Sequence, residues 1–148
     1  MIRSIIDRLE YLTKTMEEKC AGQTEEFWSY KSSPEKWSRK EILGHLTDSV
    51  TNNHHRLIRS QFEDKPSISY QQDLWVRHGY FGQMPGASVL AFWLGYNRHF
   101  IGLLKVYPDE MLSRECFAGE AESRTIYSVI VWYMEHLEHH LHQIADYV

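Results

Sequence analysis

Four histidines fall within H-L-E-H-H-L-H-Q-I, residues 136 to 144. Imidazole suits a divalent metal at neutral pH, because the neutral ring presents a nitrogen lone pair. Each residue of an α-helix advances about 100°, so residues four apart lie about 40° from each other on one side. His136 and His140 therefore share a face, with Val129 and Tyr133 on it and Ile126 and Ile144 nearby. His139 and His142 turn away toward Glu135 and Glu138, on the solvated side. The pair at 136 and 140 is thus an H-x-x-x-H on an apolar stripe, a spacing at which two imidazoles can converge on one ion. By itself it leaves two readings open: a metal platform, or two buried histidines held by hydrogen bonds.

A third ligand has to come from another segment, and His45 is the leading candidate. Its stripe continues through Ser49, Asn52 and Arg56, beside Ile42, Leu46 and Asn53. Polar side chains on an inward helix edge are costly unless satisfied, which a water-containing cavity would do. A half-buried edge is the plainer alternative and explains His45 least well. Asn52, Asn53, Arg56, Tyr133 and Gln143 are placed to orient a substrate or a water, or to pack between helices. Asp48 and Glu135 adjoin the candidate ligands but point off their stripe, so no general base is evident. His54 and His55 read as surface residues, His78 as a cavity-mouth residue and His99 as a packing residue. Trp75, Tyr80, Phe81 and Trp93 either wall a cavity or fill the core.

The elements that position these residues read as helices. Ser38-Arg39-Lys40-Glu41 fits a capping box, opening a helix over roughly residues 38 to 62. Ile5, Ile6, Leu9, Leu12 and Met16 mark an earlier helix over roughly residues 2 to 22. A loop with Trp28, Pro34 and Trp37 separates the two. A third helix spans roughly residues 87 to 106, ended by Pro108, and a last one roughly residues 123 to 147. Residues 63 to 86 form a long connection, and 107 to 123 an irregular stretch that admits a short hairpin. The pattern predicts an all-α, four-helix bundle with a long crossover, one domain over residues 1–148.

Composition narrows the function. The 148 residues are 43% hydrophobic and 14% aromatic, enough for a core. A net charge of -4 provides no basic surplus for phosphates, so nucleic acid is excluded as a partner. No apolar run is long enough to span a membrane. Cys20 and Cys116 are too few for a cysteine zinc cage and read as buried fillers; with no secretory signal visible, the expected location is cytoplasmic.

K-W-S-R-K-E-I-L-G-H-L-T-D-S (36–49), N-N-H-H-R (52–56), Y-Q-Q-D-L-W-V (70–76), L-G-Y-N-R-H (94–99) and the terminal histidine run together resemble the DinB-like, or YfiT-like, metal-binding proteins. The resemblance runs in order along nearly the whole chain. It implies an up-down-down-up bundle and one divalent ion, zinc or nickel first and iron or manganese next. By motif position the ligands are His45, His136 and His140. It also implies chemistry on a small molecule, either thiol-dependent transfer with a low-molecular-weight thiol or hydrolysis, and a homodimer. A metal- or ligand-binding sensor without catalysis is the alternative. Three imidazoles would leave a divalent ion an open position, as either chemistry requires.

Overall fold

The structure, a computed structural model, describes residues 2–148. Four long helices form the bundle: α1 (Arg3–Cys20), α3 (Arg39–Arg59), α5 (Gly86–Val106) and α6 (Ile126–Leu141). Two short helices, α2 (Glu25–Ser29) and α4 (Gln72–Gly79), lie in the connections. Helix α3 is central: it packs on α5 and α6, and α1 closes the bundle against the same two.

The capping box is formed as the sequence predicts. Ser38 Oγ accepts from the Glu41 N–H at 3.2 Å, and Glu41 Oε1 accepts from the Ser38 N–H at 3.0 Å. Helix α3 then runs to Arg59, short of the expected 62. Leu9, Leu12 and Met16 of α1 meet Leu43, Leu46, Val50 and Leu57 of α3, Trp93 and Phe100 of α5, and Ile130 and Leu137 of α6 in one core. Each helix contributes apolar residues at three-to-four spacing, so one stripe per helix is removed from water.

Three segments depart from the sequence expectation. The loop after α1 contains α2, where Thr24 Oγ1 accepts from the Phe27 N–H at 3.1 Å and Trp28 is buried. The connection over 63–86 holds α4 and a 3-10 turn, Phe81–Gln83, with Tyr80 in the left-handed region at φ 56 between them. The last helix begins at Ile126, capped by Thr125, and ends at Leu141 rather than 147. Its expected first turn is used instead by a two-residue antiparallel hairpin, Glu115–Cys116 with Arg124–Thr125. Beyond α6 the chain folds back, and Tyr147 donates its hydroxyl to the Glu138 carbonyl at 3.2 Å. Among the described residues no helix is long and apolar enough to cross a membrane. Cys20 and Cys116 are free and buried, and burial pushes the Cys20 thiol up to about 11.

Candidate metal centre

His45 projects from the second turn of α3 into the interior and is fully buried. Its predecessor Gly44 has no side chain, and the Phe81 ring occupies the space a Cβ would take, which brings the crossover down onto α3 beside the histidine. His136 and His140 come from consecutive turns of α6 on the face turned to α3, and both are half-buried.

The three rings meet. One ring nitrogen from each of His45, His136 and His140 lies within 4.8 Å of the other two. His45 Nε2 is 3.1 Å from His136 Nε2. Ligands about 2.0–2.1 Å from a tetrahedral ion are themselves roughly 3.3 Å apart, so the cluster has the right size for one ion. His140 Nδ1 is held by Gln143 Oε1 at 2.9 Å, which assigns the proton to Nδ1 and leaves the Nε2 lone pair free. The Nδ1 atoms of His45 and His136 are buried without a protein partner.

The electrostatics favour neutral rings, the form that binds metal. Burial pushes His45 down to about 3, with repulsion from His136 and His140 added. Burial, then His140 and His139, push His136 down to about 4. His140 is lowered mainly by burial, against its bond to Gln143. Indoles complete the enclosure: Trp132 stacks on His136 at 4.8 Å between ring centres, and Trp37 tilts against His45 at 4.9 Å. A cleft of about 550 Å3, walled by Trp37, Ile42 and Asp73, reaches His140 and Gln143.

The other candidate residues separate by contact. Gln143 alone hydrogen-bonds a ring of the cluster. Asn52 Nδ2 donates to the Asp48 carbonyl at 2.9 Å, and Asn53 Nδ2 to Ser49 Oγ at 3.4 Å. Arg56 donates from Nη1 to Asn53 Oδ1 at 2.9 Å and from Nε and Nη2 to the Ile68 carbonyl at 3.1 and 2.8 Å. Arg56, braced by Asn53, ties the crossover to α3, while Asn52 bonds within the helix. Tyr133 is fully buried and donates to Asn97 on α5. Glu135, His139 and His142 are exposed. His54 Nδ1 lies 2.8 Å from the Tyr96 hydroxyl, and its ring meets exposed His99. Phe81 and Trp93 are core residues, whereas Trp75 and Tyr80 are exposed.

One residue that the spacing placed off the site turns out to be buried. Asp48, three residues after His45, is 8% exposed, and burial alone raises its carboxyl to about 7. Its position among Ser49, Asn52 and Asn53 on the inward polar edge was the available signal.

The fold is a four-helix bundle in which three imidazoles from two of its helices are gathered closely enough that they could hold a metal ion. The chain belongs to the DinB superfamily, whose sequence profile matches residues 6–144. No curated protein matches it in sequence. Among solved structures it is similar to YfiT from Bacillus subtilis, a probable metal-dependent hydrolase with an unusual four-helix bundle topology. That likeness has a TM-score of 0.84 at 21% identity, over 95% of this chain and 82% of that one. It is similar also to the mycothiol-dependent maleylpyruvate isomerase, with a TM-score of 0.77 at 7% identity, over 95% of this chain and 60% of that one. A histidine-to-alanine variant of that isomerase gives a TM-score of 0.82 at 6% identity, over 100% of this chain and 62% of that one. The chain therefore spans less than two thirds of the isomerase, and at these identities the likeness is one of fold.

Proposed function

We propose that His45, His136 and His140 hold one divalent ion, zinc or nickel before iron or manganese, and that the protein is an enzyme acting on a small molecule at that ion. The convergence of three neutral ring nitrogens within 4.8 Å of one another carries this reading. The cleft reaching His140 supports catalysis over a closed structural site, since a reactant needs access. A bound divalent ion supplies Lewis acidity, which serves either thiolate stabilisation or the activation of water.

The residues of the chain favour thiol-dependent transfer over hydrolysis. Among the described residues no carboxylate joins the three rings, and neither Asp73 in the cleft wall nor Asp48 on α3 hydrogen-bonds one of them. Thiol transfer needs less from the protein, because a thiol loses its proton far more readily than water does. The neutral rings bind the ion, Gln143 fixes the orientation of His140, and the indoles of Trp37 and Trp132 limit water around the trio. The mycothiol-dependent isomerase of similar fold agrees with a low-molecular-weight thiol as co-substrate. We infer also the up-down-down-up order, since the crossover between α3 and α5 is long enough to return the chain parallel, and a cytoplasmic homodimer as in the family resemblance.

The test combines metal analysis with an activity screen. Purified protein should carry about one equivalent of metal, and His45→Ala and His140→Ala should lose it. Electrophiles are then incubated with cellular thiols and the metal-loaded protein, beside an ester and amide panel. Thiol consumption that disappears in His45→Ala supports transferase action. Turnover confined to esters or amides selects hydrolysis, and metal binding with no turnover selects the sensor. A protein that stays metal-free and ignores added zinc and nickel has no such centre.

A further inference from the structure

Outside the histidine trio, a cleft of about 1090 Å3 opens between α3, the crossover and the hairpin, with Asp48 at its wall beside Tyr70, Leu74, Trp75, His78 and Glu120. Asp48 is the unusual member. It is 8% exposed, and its Oδ2 is fully covered with no donor to meet it. A buried carboxylate without hydrogen bonds or a counter-charge costs several kcal/mol, so such groups are normally paired. The nearby cations of the chain are engaged elsewhere: Arg56 on Ile68 and Asn53, and Arg124 on Glu120.

The remaining walls suit a positive charge. Tyr70 and Trp75 meet edge to face with ring centres 5.3 Å apart, and Trp75 is 41% exposed, so its π-surface is available to a ligand. Aromatic faces attract cations within about 6 Å, and more strongly once water is displaced. Glu120 also lines the cleft, with its carboxylate already held by Arg124, so Asp48 is the acid left for a ligand. We propose that this cleft binds a small organic molecule through an ammonium group that pairs with Asp48 and lies against Tyr70 and Trp75. Asp48 is one turn along α3 from His45, but none of the three histidines lines this cleft, so the binding does not depend on the metal reading.

The probes are 2-phenylethylamine, 2-phenylethanol and phenylacetate, which share a ring and differ in charge. Each is titrated into full-length protein, metal-loaded and metal-free, while the Trp75 indole N–H resonance is followed, assigned by its absence in Trp75→Phe. The amine should give a saturable shift, and the alcohol and carboxylate should not. Asp48→Asn should weaken amine binding by at least about tenfold, and Trp75→Ala, at an exposed position, should weaken it several-fold. Circular dichroism checks that both variants fold, and metal analysis on the same samples should show the same metal content as the parent. The proposal fails if the alcohol binds as well as the amine, if either variant binds like the parent, or if the Trp75 resonance does not move up to about 20 mM amine. None of those failures alters the metal stoichiometry, so the two readings stand or fall separately.

Discussion

His45 and His136 approach each other through their Nε2 atoms at 3.1 Å, although 91 residues separate them in sequence. Two imidazole lone pairs cannot face each other at that distance without a proton or a cation between them. A proton held between the two nitrogens satisfies that pair alone. It also leaves His140, whose Nδ1 is turned to Gln143, pointing its free lone pair at its neighbours. A single ion would satisfy all three ring nitrogens together, which supports the proposed metal site over a purely hydrogen-bonded cluster.

Metal should therefore stabilise the fold. Ligand present at about a thousand times its dissociation constant adds about 4 kcal/mol, which in a chain of this length corresponds to a melting rise on the order of 10 °C. Zinc or nickel should raise the melting temperature of metal-stripped protein by that order, and should leave His45→Ala unmoved. Gln143→Ala should still bind, with affinity down about 10- to 100-fold because His140 loses its orienting partner. A stripped protein whose melting curve ignores both ions would sink the assignment.

The buried titratable groups make opposite pH predictions for the metal-free protein. His45 and His136 are depressed from 6.5 to about 3 and about 4. Between those values the unfolded chain binds protons that the fold refuses, so stability falls as pH drops below about 6.5. Asp48 is raised from 3.8 to about 7, so between these values the folded state holds the extra proton and stability falls as pH rises. Denaturant titrations from pH 4 to 8 should show His45→Gln losing less stability than the parent toward acid. Asp48→Asn should gain on the parent by roughly 1–3 kcal/mol toward pH 8. Parallel profiles for parent and variants would remove these groups from the account.

Arg56 is 4% exposed, and its guanidinium is committed to the Ile68 carbonyl and to Asn53. That geometry makes it an anchor for the crossover rather than a substrate contact. Arg56→Met keeps most of the stem volume and leaves the Ile68 carbonyl short of its donor. It should cost about 2–4 kcal/mol and speed amide exchange over residues 66–71 while metal content stays near the parent value. Lost metal with unchanged exchange would reverse the assignment.

Much of this arrangement was legible in the sequence because it is written in local chemistry. Ser38 and Glu41 announce α3 by a cap that depends on four consecutive residues. His136 and His140 declare a common face by spacing alone. His45 needed more: its inward direction followed from Ile42 and Leu46, but its meeting with α6 depends on how the bundle closes, and the family motif supplied that. Helix α4 was hidden because eight residues are too few to nucleate a helix by propensity; it is held by docking, through buried Val76 and the left-handed Tyr80. The end of α6 was misplaced because periodicity continues through Ile144, whereas Tyr147 folds back onto Glu138. The polar neighbours Ser49, Asn52 and Asn53 hinted at the burial of Asp48, but which side of α3 the crossover covers is a tertiary fact that the spacing alone does not decide.

The contact between Gly44 and Phe81 tests whether the crossover positions His45. A Cβ at residue 44 would fall inside contact distance of the Phe81 ring, and that ring is 7% exposed, so it cannot swing freely into solvent. Gly44→Ala should force the turn at 81–83 away from α3. Overpacking of this kind costs about 1–3 kcal/mol, or a few degrees of melting temperature for each kcal/mol in a chain of this size. Because the displaced backbone adjoins His45, metal affinity should fall with stability. Replacing the ring by a smaller side chain relieves the clash, so Phe81→Leu in the Gly44→Ala background should cost less than the two single changes added together. Strict additivity, or a Gly44→Ala protein that melts and binds metal like the parent, would show that α3 holds His45 in place without help from the crossover.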